Sequence, residues 1–74
     1  MTIQEKIRIL LVRRGNISEA ELARRLGVLP QNFGRKMKTG KFTNGDLENI
    51  AAILECTVSF ADPVFKMNDT GEEI

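Results

Sequence analysis

Apolar residues in this chain recur at two different spacings, and the change between them divides it. Ile3, Ile7, Leu10 and Leu11 form a stripe at helical spacing, which predicts a first helix from about Ile3 to Arg14, ending at Gly15. Leu22, Ala23 and Leu26 mark a second helix over Glu19 to Leu26, with Arg24 and Arg25 on its outer side. Phe33 and Met37 mark a third from Pro30 to about Lys38, and Leu47, Ile50, Ala51 and Leu54 a fourth from Asn44 to about Glu55. Ile9 and Val12 fall roughly opposite the first stripe. That pattern requires a cover for them, either the C-terminal segment or a second copy of the chain.

The polar residues between these stripes agree with the boundaries. Thr2 with Glu5 and Ser18 with Glu21 have capping-box spacing, and Thr43 with Asp46 is its shorter analogue, in which side chains satisfy orphan amides at a helix start. Gly27 can take the positive φ that closes the second helix at little steric cost. Pro30, with its fixed φ and no N–H, suits the first turn of the third. Thr39-Gly40-Lys41 ends that helix.

Beyond Cys56 the alternation becomes strand-like. Val58, Phe60, Val64, Phe65 and Met67 stand among polar residues, and Asn68-Asp69-Thr70-Gly71 has turn composition. This predicts a short hairpin, with Glu72 to Ile74 returning alongside the first strand. The parity slips at Asp62-Pro63, which predicts a bulge or an unpaired edge position there.

With 74 residues the chain makes one small domain, burying only about 60% of the surface its unfolded form exposes, so dimerisation would add needed stability. A content of 42% hydrophobic and 28% charged residues is that of a soluble globular protein. No apolar run reaches a membrane span and no signal-peptide pattern opens the chain, so a cytoplasmic location is expected. The one cysteine, Cys56, follows an apolar run and is expected to be an inert buried thiol. There is no histidine, which removes the usual general base, the Ser-His and Cys-His pairs and any recognisable zinc spacing. The carboxylates are scattered over solvated helix positions. Neither catalysis nor a cofactor is expected, and no small-molecule pocket is legible.

A net charge of +1 conceals a strong asymmetry. Residues 1 to 42 carry ten Lys and Arg against three acids, a net +7, whereas residues 43 to 74 carry Lys66 against seven acids, a net −6. A basic front half suggests a surface that meets a polyanion.

Two short helices joined by a Gly-containing turn, with the small Ala23 where they approach, form a helix-turn-helix. Residues 18 to 54, SEAELARRLGVLPQNFGRKMKTGKFTNGDLENIAAIL, resemble the Cro/C1-type, or XRE-family, helix-turn-helix regulators of bacteria and phages. Leu22, Ala23, Leu26, Gly27, Val28 and Phe33 carry the likeness. The resemblance implies a mainly α, compact four- or five-helix lambda-repressor-like domain over residues 1–56. Residues 57–74 would follow as a short C-terminal β-hairpin and dimerisation element. It also implies sequence-specific binding of double-stranded DNA as a transcriptional regulator, a repressor by preference, with the third helix in the major groove of a two-fold site.

On that helix Gln31 can pair with adenine and Arg35 with guanine, contacts worth about 1–3 kcal/mol of discrimination each, and Asn32 can read a base or meet a phosphate. Lys36, Lys38 and Lys41 suit phosphates, as does Asn44, where the fourth helix presents free amides. Ile9, Val12, Phe60 and Phe65 are the candidate apolar contributors to a homodimer. The chain departs from the family at four places. Glu19 stands where Gln is common and would repel a phosphate. Leu29 replaces a capping Ser or Thr, Gly34 lies inside the third helix, and Phe33 and Met37 are one step further apart than usual. The alternative reading is a protein-interaction module, such as an antitoxin or phage accessory factor. It would bind its partner through the acidic half, chiefly Asp69, Glu72 and Glu73.

Overall fold

Each helix begins where the chain offers an acceptor or a preset φ, and the computed structural model, which describes residues 1–74, has four of them. They are α1 (Ile3–Arg13), α2 (Glu19–Leu26), α3 (Pro30–Thr39) and α4 (Asn44–Ile53), followed by β1 (Cys56–Ser59) and β2 (Val64–Met67). Thr2 with Glu5 and Thr43 with Asp46 form complete capping boxes. Ser18 makes only half of one. Its hydroxyl accepts the Glu21 amide at 3.0 Å, but the Glu21 carboxylate turns outward to Arg24 and Arg25, which are stronger partners than a backbone amide. Leu29 gives α3 no side-chain cap, and Pro30 opens that helix instead. Gly27, at φ 74°, ends α2 and makes the turn into α3.

The fold is mainly helical with a C-terminal two-stranded antiparallel hairpin. α2 packs against both α3 and α4, and α4 carries β1 at its end. One core runs through all of it. Ile7, Leu10 and Leu11 of α1, Leu22 and Ala23 of α2, Phe33 and Met37 of α3, and Leu47, Ile50 and Ala51 of α4 meet Leu54, Cys56, Phe65 and Met67. The hairpin thus contributes to the same core as the helices. Cys56 is buried in it, and burial pushes its thiol pKa up, so it carries little thiolate.

The hairpin differs from the expected one in where it turns. Cys56 pairs with Met67, Val58 with Phe65 and Ser59 with Val64, so Phe60 to Pro63 is the turn between two strands, and Asp62-Pro63 is not a bulge within one. Proline is at ease in such a turn because it has no amide to donate to a ladder. Asn68 to Thr70 also turn, as the composition suggested, and Glu72 to Ile74 come back along β2. Phe65 and Ile74 exchange backbone bonds of 2.9 and 2.8 Å, and the Met67 amide donates to Glu72 at 2.8 Å. A tight turn directly after β2 returns the chain to the strand it has just left, and the outer edge of β1 stays open.

Arg14 joins the two ends of the molecule. It caps α1 and is only 12% exposed, with Nε donating to the Leu54 carbonyl at 2.7 Å and Nη2 to the Glu55 carbonyl at 3.0 Å. The rest of the guanidinium meets both oxygens of Asp69 at 2.9 and 3.0 Å, a bidentate pair. Held this way, the Asp69 carboxyl is lowered from an ordinary 3.8 to about 2. Such a carboxylate stabilises the fold only while ionised, so its contribution is whole above about pH 4 and is lost as pH falls through about 2. Asp69→Asn should therefore unfold at lower urea than the parent at pH 7, and the difference should close between about pH 4 and pH 2. A gap that persists unchanged at pH 2 would remove this carboxylate from the clamp.

Candidate nucleic-acid interface

The outer face of α3 is set by its two anchors. Phe33 and Met37 are buried on one side, which turns Gln31, Asn32, Arg35, Lys38 and Thr39 to solvent. Gln31 and Arg35 are one turn apart and share that face. Lys41 follows Gly40, whose φ of 73° ends the helix, and is exposed. Asn44, in the first turn of α4, is exposed as well.

Lys36 lies apart from this group. Its ammonium donates to Asp46 Oδ2 at 2.8 Å, and the same oxygen accepts the Thr43 amide at 3.0 Å. Partial burial pushes the Asp46 carboxyl up, but the Lys36 and Thr43 bonds outweigh it and the net shift is downward. Lys36 thus braces the start of α4 against α3, and its charge is already matched. That separates it from Lys38 and Lys41, with which the sequence had grouped it as a phosphate anchor.

The same sorting applies to the whole basic half. Arg8 pairs with Glu19, Arg13 with Glu72, Arg14 with Asp69, and Arg24 and Arg25 share Glu21. Lys6 donates to the Pro63 carbonyl. The basic-half cations left with neither an acid nor a carbonyl are Arg35, Lys38 and Lys41, all on α3 or in the loop after it. Three of the six ion pairs, Arg13–Glu72, Arg14–Asp69 and Lys36–Asp46, join the basic and acidic halves, and the basic-half cations with no partner gather on and just after α3. Glu19 and Glu21 lie in the first turn of α2, so that helix start carries negative charge.

Of the apolar residues expected at a dimer contact, Val12 is 62% exposed, Phe60 40% exposed and Ile9 half-buried. The C-terminal segment leaves Val12 uncovered. Phe65 is a correction. It is completely buried, because the turn at Phe60 to Pro63 reverses the face it would have had in a single longer strand.

Two features had little signal in the sequence. Val28 and Leu29, in the turn between α2 and α3, are among the most exposed large apolar residues of the molecule. A groove of about 700 Å³ also runs between α3 and α4, closed at one side by Leu26 and Val28. A second, smaller hollow of about 450 Å³ lies on the other flank of α3, between it, Arg8 and Glu19, with Gly34 in its wall. No family model, curated protein or solved structure matches this chain.

A Cβ built on Gly34 meets nothing within 4 Å. Gly34→Ala should therefore stabilise the free protein by about 1 kcal/mol through helix propensity alone, read from urea unfolding. A destabilised variant would show that the helix backbone is held differently at this point.

Proposed function

We propose that this protein is a sequence-specific binder of double-stranded DNA acting as a transcriptional regulator, with α3 as its reading helix, as the resemblance to Cro/C1-type regulators implies. The observation that carries the reading is the isolation of Arg35, Lys38 and Lys41 as unpaired cations on and just after one exposed helix. An α-helix fits the major groove, and Gln31, Asn32 and Arg35 supply the donors that distinguish adenine and guanine edges. Lys38, Lys41 and the start of α4 at Asn44 would meet phosphates and fix the register. Lys36 takes the lesser role of supporting α4.

The regulator would work in the cytoplasm as a homodimer and without catalysis. A two-fold site would set the two reading helices about 34 Å apart, one turn of B-DNA. Ile9, Val12 and Phe60, with the open edge of β1, are the candidate surface for that contact. A partner-binding role through the acidic tail draws less support, since Asp69 and Glu72 are already paired with Arg14 and Arg13.

Selection from a random duplex pool at two salt concentrations tests the reading. Enrichment of a two-fold repeat is expected. Gln31→Ala and Arg35→Ala should each relax one position of each half-site by about 1–3 kcal/mol, while Lys38→Ala weakens all sequences alike. A steep salt dependence with no enrichment would leave only nonspecific binding, and absence of binding would refute the proposal. A monomer at tens of micromolar by light scattering would remove the dimer.

A further inference from the structure

The groove between α3 and α4 shares Asn32, Arg35 and Lys41 with the proposed DNA-contacting surface, and the rest of its lining has a chemistry of its own. Leu26 and Phe42, both half-buried, give the groove its apolar floor above the buried Phe33 and Ile50, and the Phe42 ring lies 6.1 Å from that of Phe33. Val28, 42% exposed, continues this apolar surface to the mouth. Around the rim stand Asn32, Asn49, Arg35 and Lys41, all exposed and none with a side-chain hydrogen bond inside the protein. Asp46 is the one acid in the lining, and Lys36 neutralises it. The wall therefore offers an apolar floor, two uncompensated positive charges and two free amides, in a space within the range of small-molecule sites of about 300–1,000 Å³.

We propose that this groove binds a small organic anion with a flat apolar body, of the aromatic carboxylate class. The ring lies against Leu26, Phe42 and Val28, and the carboxylate meets Arg35 and Lys41 at the mouth. Charge complementarity selects this occupant over a neutral apolar molecule, which would leave both cations unused. The size of the floor selects it over inorganic phosphate, which would leave the apolar surface bare.

The test is titration of the intact ¹⁵N-labelled chain with 2-naphthoate, followed by amide chemical shifts, beside 2-naphthalenemethanol and inorganic phosphate. Saturable shifts confined to the residues lining the groove are expected for naphthoate, with Kd about 1 mM or tighter for a ligand of this size. Arg35→Gln combined with Lys41→Gln should weaken it about five-fold or more. Val28→Asp sets an acid on a half-exposed position, so it should abolish binding while the spectrum stays folded. Equal binding of the neutral alcohol would overturn the charge argument, and equal binding of phosphate would overturn the apolar one. Absence of saturable shifts, or shifts elsewhere on the molecule, would overturn the site. No DNA enters this test, so its failure is separate from failure of the DNA reading.

Discussion

A guanidinium with little water around it holds this small fold closed. Arg14 takes two carbonyls from the end of α4 and both oxygens of Asp69, so one side chain from the end of α1 fixes where α4 stops and where the tail turns. The carbonyls it takes belong to residues at and just beyond the helix cap, where a helix leaves C=O groups without intrahelical partners. Glu55 adopts a positive φ of 57° there, which swings the chain off the helix axis and into β1. The Glu55 carbonyl also accepts the Asn68 amide at 3.0 Å, so the clamp and that bond together hold the strained residue. The placement of Phe65 and Met67 in the core, and so the closure of the core itself, follows from that turn.

The clamp also belongs to a wider exchange of charge. A basic front half and an acidic back half would each repel itself if left apart, and folding joins them through Arg13–Glu72, Arg14–Asp69 and Lys36–Asp46. Most of these pairs are exposed and worth little individually. Their collective effect is on the electrostatic field, since each matched cation ceases to attract a distant polyanion. Arg35, Lys38 and Lys41 keep no such partner: α3 holds no acid, and of the neighbouring ones Asp46 is paired with Lys36 and Glu19 with Arg8. A net charge of +1 therefore says little about binding, and the distribution of unpaired charge says more.

What could be read from the sequence divides by distance along the chain. Helix starts at Thr2, Ser18 and Thr43 and the break at Gly27 depend on residues three or four apart, and those positions were legible. The Arg14 to Asp69 bond spans 55 residues, and nothing in local spacing distinguishes Arg14 from Arg13 beside it. Lys36 and Asp46 were illegible as a pair for the same reason, so Lys36 looked equivalent to Lys38. The hairpin itself was legible, but the place of its turn was not. Its strand-like spacing was plain, but proline at a parity break is compatible with either a bulge or a turn, and only the pairing of Val58 with Phe65 decides between them. That choice moved Phe65 from a supposed contact surface to the core. In the candidate interface, exposure of Gln31 and Arg35 followed from the burial of Phe33 and Met37. The groove beside them did not, because it is lined by residues as far apart in the chain as Leu26 and Ile50.

Under the two proposed readings Arg35 belongs to two surfaces, the outer face of α3 and the mouth of the groove. A single guanidinium cannot give the same donors to a guanine edge and to a carboxylate, and both ligands are anionic, so occupancy of one side disfavours the other. The opposition is reciprocal, since coupling between two binding equilibria has one value whichever ligand binds first. It needs no movement of the core. Lys36 and Asp46 hold α3 and the start of α4 together, so the groove keeps its width while Arg35 changes partner by rotating its own side chain. A fold of this size has little interior to spare for a separate regulatory pocket, and a site that borrows a reading residue from the exposed helix is one way to couple two ligands without one.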